Sequence, residues 1–515
     1  MKLLNGDWQR DLVFGIFMWA ILVFFLGYQI GTGDNIEFLP FVLFLNNAEL
    51  FPHDFFIQSM ESMGINERFF FTRLLSFFYP YQETVSLLIH MLATLLMVIG
   101  MLRISRRYLE NTYSQYAVVL LALLVTYGIN AGGNELYYNN LQGATLAKAL
   151  SVWAICYFLD DRILRSTLLL IIATLFQPLV GLHLFLLMIP VGIYQAFVIN
   201  RIPYLELVLS LFFYTFTAGI YIWGIMAAQG TGQAHLISDS EFIDIAYYFR
   251  LPHHYIPTYF SKKGIVLMGI FSLCAIFFFK KKDPRMLIFF FTLYIGIIIY
   301  LGGLFQDHFT IVSSWWFRTM IWVKLLGAIA FIGLLEKYIP ISRIPQNRGM
   351  EMTFLAALAF IMGIIFTVFP RALPAKNQYH FSSDAIHKYP DLDIAVQIRE
   401  KTPVNALFIQ PFEFTALKYY GRRSSYVDFK AIVRKREHIG TWYSRIQQVY
   451  GISTENEKKG FHLELPAYAH FMRMDQQTLE ELKTSGVTHI LTYREHMLDL
   501  EIIAENYAYK VYKLK

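Results

Sequence analysis

The sequence predicts a polytopic helical membrane protein that ends in a small α/β domain, and three observations predict it. Of 515 residues, 56% are hydrophobic, 17% aromatic and only 16% charged, and the mean hydropathy is +0.42; a soluble domain carries roughly 25% charged residues. Apolar runs such as LVFGIFMWAILVFFLGYQI (12–30) and MLIFFFTLYIGIIIYLGGLF (286–305) approach the ~20 residues needed to cross a bilayer. Beyond about residue 371 this character stops, and the tail to 515 holds dense charge and no run of spanning length.

Breaking the apolar runs at charged or Pro/Gly-rich stretches predicts about eleven helices, near 11–29, 84–102, 114–130, 145–160, 165–177, 179–198, 205–228, 263–279, 286–304, 317–335 and 351–369. The first run is long and ends in no small-residue cleavage site, so it reads as a retained span. FQPLVGLH (176–183) either separates two helices or kinks one, and charge decides between them. With eleven spans, one side receives Lys2 and Arg10, Arg103, Arg106 and Arg107, Arg162 and Arg165, Arg201, the run KKKDPR (280–285), and Lys337, Arg343 and Arg348, roughly fifteen basic residues against about five on the other. That bias marks a cytoplasmic face and a cytoplasmic N-terminus. The transmembrane domain is then 1–370, and its loops 30–83, 131–144, 229–262 and 304–316 lie outside with the tail, 371–515. The net charge of +6 matters through this distribution, and it implies no nucleic-acid partner. Cys156 and Cys274 both sit in apolar runs and read as packing residues, which excludes a cysteine-rich redox or zinc module.

In the tail, ALFIQPF (406–412), SSYVDFK (424–430), VTHILTY (487–493) and YKVYKL (509–514) read as short strands. LDIAVQIREK (392–401) and DQQTLEELKTSG (475–486) read as helices, the second stopped by its glycine. About 140 residues suffice for an independent core.

Polar groups collect in the outer loops. The first carries Asp34, Glu37, His53 and Asp54, then NERFFFTRLLSFFYP (66–80), whose aromatic density suggests a helix lying in the interface. Shelter by aromatics should desolvate Asp34 and raise its pKa, as suits a general base for a hydroxyl; the alternative is a residue that marks the exit from the bilayer and caps the next helix. The second loop, NAGGNELYYNNLQGATLAKAL (130–150), holds Glu135 among amides and tyrosines fit to hold a hydroxylated ring. In FQDHFTIVSSWWFRTMIW (305–322), Arg318 follows Trp315 and Trp316 on the face where cations are scarce. It suits a phosphate, with the tryptophans along a lipid chain, or else an aromatic belt with a snorkelling arginine. Lys148 and Lys324 are further phosphate candidates. FRLPHHYIPTYF (249–260) sets Arg250, His253 and His254 between two prolines that should keep the loop irregular. Adjacent histidines reach one metal ion only from such a loop, with help from Asp239, Glu241 or Asp244. Hydrogen bonding to a substrate or to the loop itself is the preferred reading, no metal ligands are assigned, and a divalent cation stays open as a cofactor.

A short N-terminus, a first span, a long outer loop opening on an acidic residue, many further spans and a terminal α/β domain together resemble the GT-C superfamily of membrane glycosyltransferases. GDNIEFLPFVLFLNNAELFPHDFF, LAKALSVWAICYFL, TLFQPLVGLHLFLL, RLPHHYIPTYF and REKTPVNALFIQPFEFTALKYYGRRSSYVDFK are similar to segments of an uncharacterised bacterial branch of that superfamily. The resemblance implies a bacterial inner (plasma) membrane enzyme that transfers a sugar, with inversion, from a polyprenyl-phosphate-linked donor to an extracytoplasmic glycan, lipid or protein acceptor of the cell envelope. It carries the catalytic role to Asp34, with Glu135 second, and phosphate binding to Arg318 with Arg250. His253, His254, Asp54, Trp315, Trp316 and Lys148 complete the expected substrate-binding set. The first loop has no Asp-x-Asp or Glu-x-Asp triplet, and Phe317 follows Trp315 and Trp316 where oligosaccharyltransferases have Asp. The alternative is a non-catalytic transporter or assembly partner in polysaccharide export, whose ionisable groups should stand near mid-membrane.

Overall fold

A computed structural model describes residues 7–230, 237–338 and 389–514, with Gly349, Thr353, Ala356 and Ala357 as isolated positions. Helix α1 (Asp7–Leu26) leads into a long connection carrying α2 (Leu39–Asn46), α3 (Phe55–Met63) and α4 (Phe69–Phe77). Then follow α5 (Gln82–Tyr108), α6 (Thr112–Val125, its last turn a π turn), α7 (Gly143–Leu159), α8 (Ile163–Phe176), α9 (Pro178–Phe197) and α10 (Tyr204–Ala228, with a central π turn). Helices α11 (Lys262–Lys282), α12 (Pro284–Phe305) and α13 (Met320–Leu335) complete the described bundle. Ten of the predicted helical stretches are helical; apart from Thr353, Ala356 and Ala357, 351–369 lies outside the described residues. Seven helices among the described residues are long and apolar enough to cross a membrane, and those at 112–125, 143–159 and 163–176 are apolar but shorter.

FQPLVGLH separates two helices. Gln177 is extended (φ −150°, ψ 99°) and Pro178 opens α9, where its missing N–H costs nothing. Ser166 of α8 meets Met188 of α9 at 3.7 Å, and Gly181 backs on Leu170 and Thr174 while Gly192 backs on Ile163. Those contacts make an antiparallel pair, so the direction of the chain is not inverted downstream.

The bundle has an apolar circumference. Only 28% of the most apolar window of α10 and 33% of that of α12 is buried, against 78% for the span containing α13, and Phe216, Trp223, Phe277, Phe291 and Ile298 are exposed large apolar side chains. Such a surface suits lipid contact around a central α13. One end of the bundle is closed by ion pairs: Arg106 with Asp11, Arg107 with Asp160 at 3.1 Å, Arg285 with Asp161 at 2.9 Å and with Asp283 at 2.8 Å. The other end carries the long connections and the C-terminal region.

That region comprises α14 (Pro390–Lys401), α15 (Arg436–Tyr450), α16 (Glu464–Phe471), α17 (Gln476–Thr484) and five strands: β1 (Leu407–Ile409), β2 (Ser424–Ser425), β3 (His489–Tyr493), β4 (Glu501–Glu505) and β5 (Tyr509–Lys513). The sheet order is β2-β1-β3-β5-β4. β1 is parallel to β2 and β3, with Leu407 opposite Ser424 and Phe408 opposite His489, and β5 is antiparallel to β3 and β4.

Buried polar contacts dock this region on the bundle. Asp54, fully buried, accepts from Ile57 N at 3.0 Å, capping α3, and from Ser425 N at 2.9 Å, and it stands 3.5 Å from Lys418 Nζ. Tyr420 Oη donates to the Ile30 carbonyl at 2.8 Å. Gly31 turns there with φ +77°, and a Cβ would lie 2.3 Å from Tyr419, so only glycine permits the approach. Asp54 is therefore a clamp between the bundle and this region, its oxygens engaged by protein donors. Asp54→Ala leaves the Ser425 amide and the Lys418 ammonium without this acceptor; limited proteolysis of the purified protein should then release a C-terminal fragment under conditions that leave the wild type intact.

Candidate functional site

The segments that meet between bundle and C-terminal region enclose a cavity of about 610 Å³, within the ordinary range for small-molecule sites. Asp34, Arg250, His253, His254, Trp315 and Arg318 all line it. Five residues absent from the expected set join them: Glu37, Glu67, Arg68, Lys430 and Arg434.

The first wall comes from the connection after α1. A 3-10 turn, Gly33–Glu37, puts Asp34 and Glu37 three residues apart and so on one side. Glu37 pairs with Arg68, at the N-terminal boundary of α4; Arg68 also lies 3.4 Å from Glu67, whose carboxylate meets Arg434 at 2.7 Å. Burial pushes Glu67 up, but Arg434 and Arg68 outweigh it and hold the carboxyl below its usual range. Asp34 pairs with Lys430, and its Oδ2 accepts from Gln142 Nε2 at 3.0 Å. Its side chain is 46% accessible, and it lines the cavity.

The expected rise in the Asp34 pKa is reversed. The Lys430 ammonium, helped by Gln142 and Arg250, outweighs desolvation and holds the carboxyl down to about 2. A carboxylate depressed in this way contributes stability above its ordinary pKa near ~4 and loses it as pH falls toward 2.

The third loop supplies Arg250 and the histidines. Arg250 is 1% accessible. Its Nε donates to the Phe429 carbonyl and its Nη2 to the Lys430 carbonyl at 2.7 Å, the guanidinium lying 4.7 Å from the ring centres of both Phe429 and Phe461. Nη1 is buried with no hydrogen-bond partner. Burial lowers its pKa to about 10, still cationic at neutral pH. The prolines do not keep this loop out of helix: Pro252 opens a helical turn, Pro252–Tyr255, and Pro257 a 3-10 turn, because proline suits the first position of a turn whose N–H groups are free. His254 Nδ1 donates to the Gly132 carbonyl at 2.9 Å, and its ring stacks on Trp315 at 5.2 Å. Gly133, at φ +63°, lies so close that a Cβ would stand 2.7 Å from His254 Nδ1. Burial, with Arg250 and Lys430 near, holds His253 down to about 3, and burial holds His254 well below its usual value; both are neutral donors and acceptors at neutral pH. No group of three His, Cys, Asp or Glu residues stands together among the described residues, and Asp239 pairs instead with Arg436.

Trp315 adopts a left-handed backbone (φ 50°, ψ 43°), uncommon for a bulky residue and a frequent mark of functional sites. Arg318 lies 4.0 Å from its ring centre. Among the described residues no carboxylate pairs with Arg318 or Arg250, and Arg318 Nε is buried with no hydrogen-bond partner. Five cations thus face three carboxylates in the lining, leaving two positive charges uncompensated.

The remaining expected residues stand behind the wall. Glu135 accepts from Lys324 Nζ at 2.6 Å, from Gly128 N at 3.0 Å and from Asn130. Lys148 donates to Asn134 Oδ1 at 3.1 Å and to the Glu135 carbonyl, 3.9 Å from the Tyr138 ring centre. These groups satisfy one another, so the structure gives Glu135 and Lys148 a structural place outside the cavity lining. Trp316 does not line the cavity; its Nε1 donates to the Leu293 carbonyl at 3.0 Å, and its ring meets His183 at 5.2 Å. Sequence reasoning missed Lys430 and Arg434 because a distant region supplies them; the run VRKREH (433–438), with three basic residues in succession, was a usable signal.

One comparison bears on this segment. A family model described as Domain of unknown function (DUF6798) matches residues 390–449, which include Lys430 and Arg434. No curated protein matches the chain.

Two outcomes follow. Dicyclohexylcarbodiimide, which attacks protonated buried carboxyls, should leave Asp34 unlabelled at pH 5 in the wild type and label it in Lys430→Met, as read by peptide mass spectrometry, because the largest influence lowering its pKa is gone. Lys324→Met should cost about 3–5 kcal/mol by leaving Glu135 buried and unpaired, seen as a large drop in melting temperature that Lys324→Met/Glu135→Gln partly restores.

Proposed function

We propose that the protein is a GT-C-like membrane glycosyltransferase of eleven spans, N-terminus cytoplasmic and C-terminal domain extracytoplasmic, using a polyprenyl-phosphate-linked sugar as donor. The observation that carries this reading is the composition of the cavity lining. It holds two guanidiniums, Arg250 and Arg318, that no carboxylate pairs with among the described residues. The same lining has an apolar set, Phe71 of α4, Phe176, Leu179 and Leu182 around the α8–α9 turn, and Ile222, Ile225 and Met226 of α10, the helix with the smallest buried share of the seven. A phosphate joined to an isoprenoid chain has that distribution of charge and apolar surface, and guanidiniums bind phosphate oxygens through paired N–H groups.

The donor phosphate sits on Arg250 and Arg318, with the chain along the apolar wall. Asp34 takes the proton of an acceptor hydroxyl as its oxygen attacks the anomeric carbon, and the carbon–oxygen bond to phosphate breaks toward the guanidiniums. The aromatic faces and amides of Trp315, Tyr138 and Gln142 suit the sugar. Charged groups collected at the ends of the helices, with few along the spans, favour chemistry at a membrane surface over a path for translocation.

The test is transfer from radiolabelled polyprenyl-phosphate sugars to endogenous acceptor in membranes containing the full-length protein. Asp34→Asn and Arg318→Ala should each lower the rate by roughly 10² or more, while Leu273→Met, on the lipid-facing surface, leaves it unchanged. Wild-type rates in both site variants would end the enzyme reading.

A further inference from the structure

Lys430 stands between the group expected to take a proton and the groups expected to hold phosphate. Its ammonium pairs with Asp34, while its own carbonyl accepts from Arg250 Nη2 at 2.7 Å. The lysine is therefore rooted beside the guanidinium whose Nη1 is buried and unpartnered. Its side chain lines the cavity and is 21% accessible, on a flexible four-carbon stem that lets a point charge change partners, as a forked guanidinium does less readily. Asp34 has a second support, the 3.0 Å hydrogen bond from Gln142 Nε2 to Oδ2. Gln142 is fixed in turn, being the residue before α7 and donating to Asn140 Oδ1 at 2.9 Å. If the lysine departs, Asp34 stays oriented and its Oδ1 is bare.

We infer that Lys430 is an exchangeable counter-ion, held by Asp34 until a phosphate lodges on Arg250 and Arg318, and then drawn to that phosphate so that Asp34 is free to accept a proton. This rests on the lipid-phosphate reading above and deepens it: the base is unmasked only when the donor is in place. Before that, a hydroxyl or water entering the cavity meets a carboxylate already neutralised by an ammonium. During transfer the acceptor O–H gives its proton to Asp34, its oxygen bonds to the anomeric carbon, and the electron pair of the broken bond passes to the phosphate oxygen. The phosphate thereby gains one negative charge, which Lys430 meets. The other cations of the lining do not offer this exchange as simply: Arg68 is shared between Glu37 and Glu67, and Arg434 is held by Glu67. The exchange also gives the segment matched by DUF6798 a task, because Lys430 lies within it.

The test is the affinity of farnesyl phosphate for the full-length protein in lipid nanodiscs, measured by calorimetry with farnesol as the uncharged control. Lys430→Gln should weaken binding about three- to tenfold and Lys430→Arg should restore it only in part, since a guanidinium leaves the Asp34 carboxylate less readily. Asp34→Asn, which releases the lysine, should tighten binding by a similar factor, and that gain should vanish when Asp34→Asn is made in the Lys430→Gln background. Lys430→Met replaces Lys430→Gln should the latter not fold, folding being read from the melting temperature without ligand. The exchange is overturned if Asp34→Asn leaves affinity unchanged or weaker, or tightens it equally without Lys430, since loss of a negative charge alone would then account for the effect. If the wild type does not distinguish farnesyl phosphate from farnesol, or Arg318→Ala binds it as well as the wild type, the lipid-phosphate reading itself falls, and the exchange with it.

Discussion

Arg250 joins the two halves of the molecule. Almost wholly buried, it lies between the rings of Phe429 and Phe461 and spends two nitrogens on the carbonyls of Phe429 and Lys430. A charged group so far from water is tolerated only when its donors are met, and here the backbone of the C-terminal region meets two of the three nitrogens. That hold places the segment from Lys430 to Arg434 over the bundle, and with it the ammonium on Asp34 and the guanidinium on Glu67. The cavity is thus a property of the docked pair of domains.

The same constraint explains why the charges are unevenly matched. Three cations have carboxylates, and those contacts tie the first connection, the N-terminal boundary of α4 and the C-terminal region to one another. Arg250 and Arg318 instead rest on aromatic faces and carbonyls. An aromatic face stabilises a cation without cancelling its charge, so the positive potential is kept for whatever enters. The neutral histidines beside them add hydrogen-bonding capacity without further charge.

Much of the fold was legible because spanning helices advertise themselves by length and hydropathy, and the α8–α9 division followed from charge alone. In the tail, α15 was missed: its apolar residues Ile439, Trp442, Ile446, Val449 and Tyr450 keep a helical spacing but are diluted by charge. β4, with two exposed glutamates at its ends, was not among the predicted strands. At the site, Asp34, Arg250, His253, His254, Trp315 and Arg318 were legible as polar or aromatic residues in connections on one face. Glu135, Lys148 and Asp54 were legible as polar but not as spent, because sequence does not reveal that Lys324, Asn134 and the Ser425 amide satisfy them. The direction of the Asp34 shift was misread for the same reason, since Lys430 is hundreds of residues away.

The proposed function has one cavity take a phosphate on Arg250 and Arg318 and a lipid chain along its apolar residues. A cryo-electron microscopy map of the full-length protein in nanodiscs supplied with a polyprenyl phosphate should show phosphate density within hydrogen-bonding distance of Arg250 and Arg318, with chain density running past Leu182 and Met226. Lipid density bound elsewhere while the cavity holds none, or a headgroup away from both guanidiniums, would contradict it.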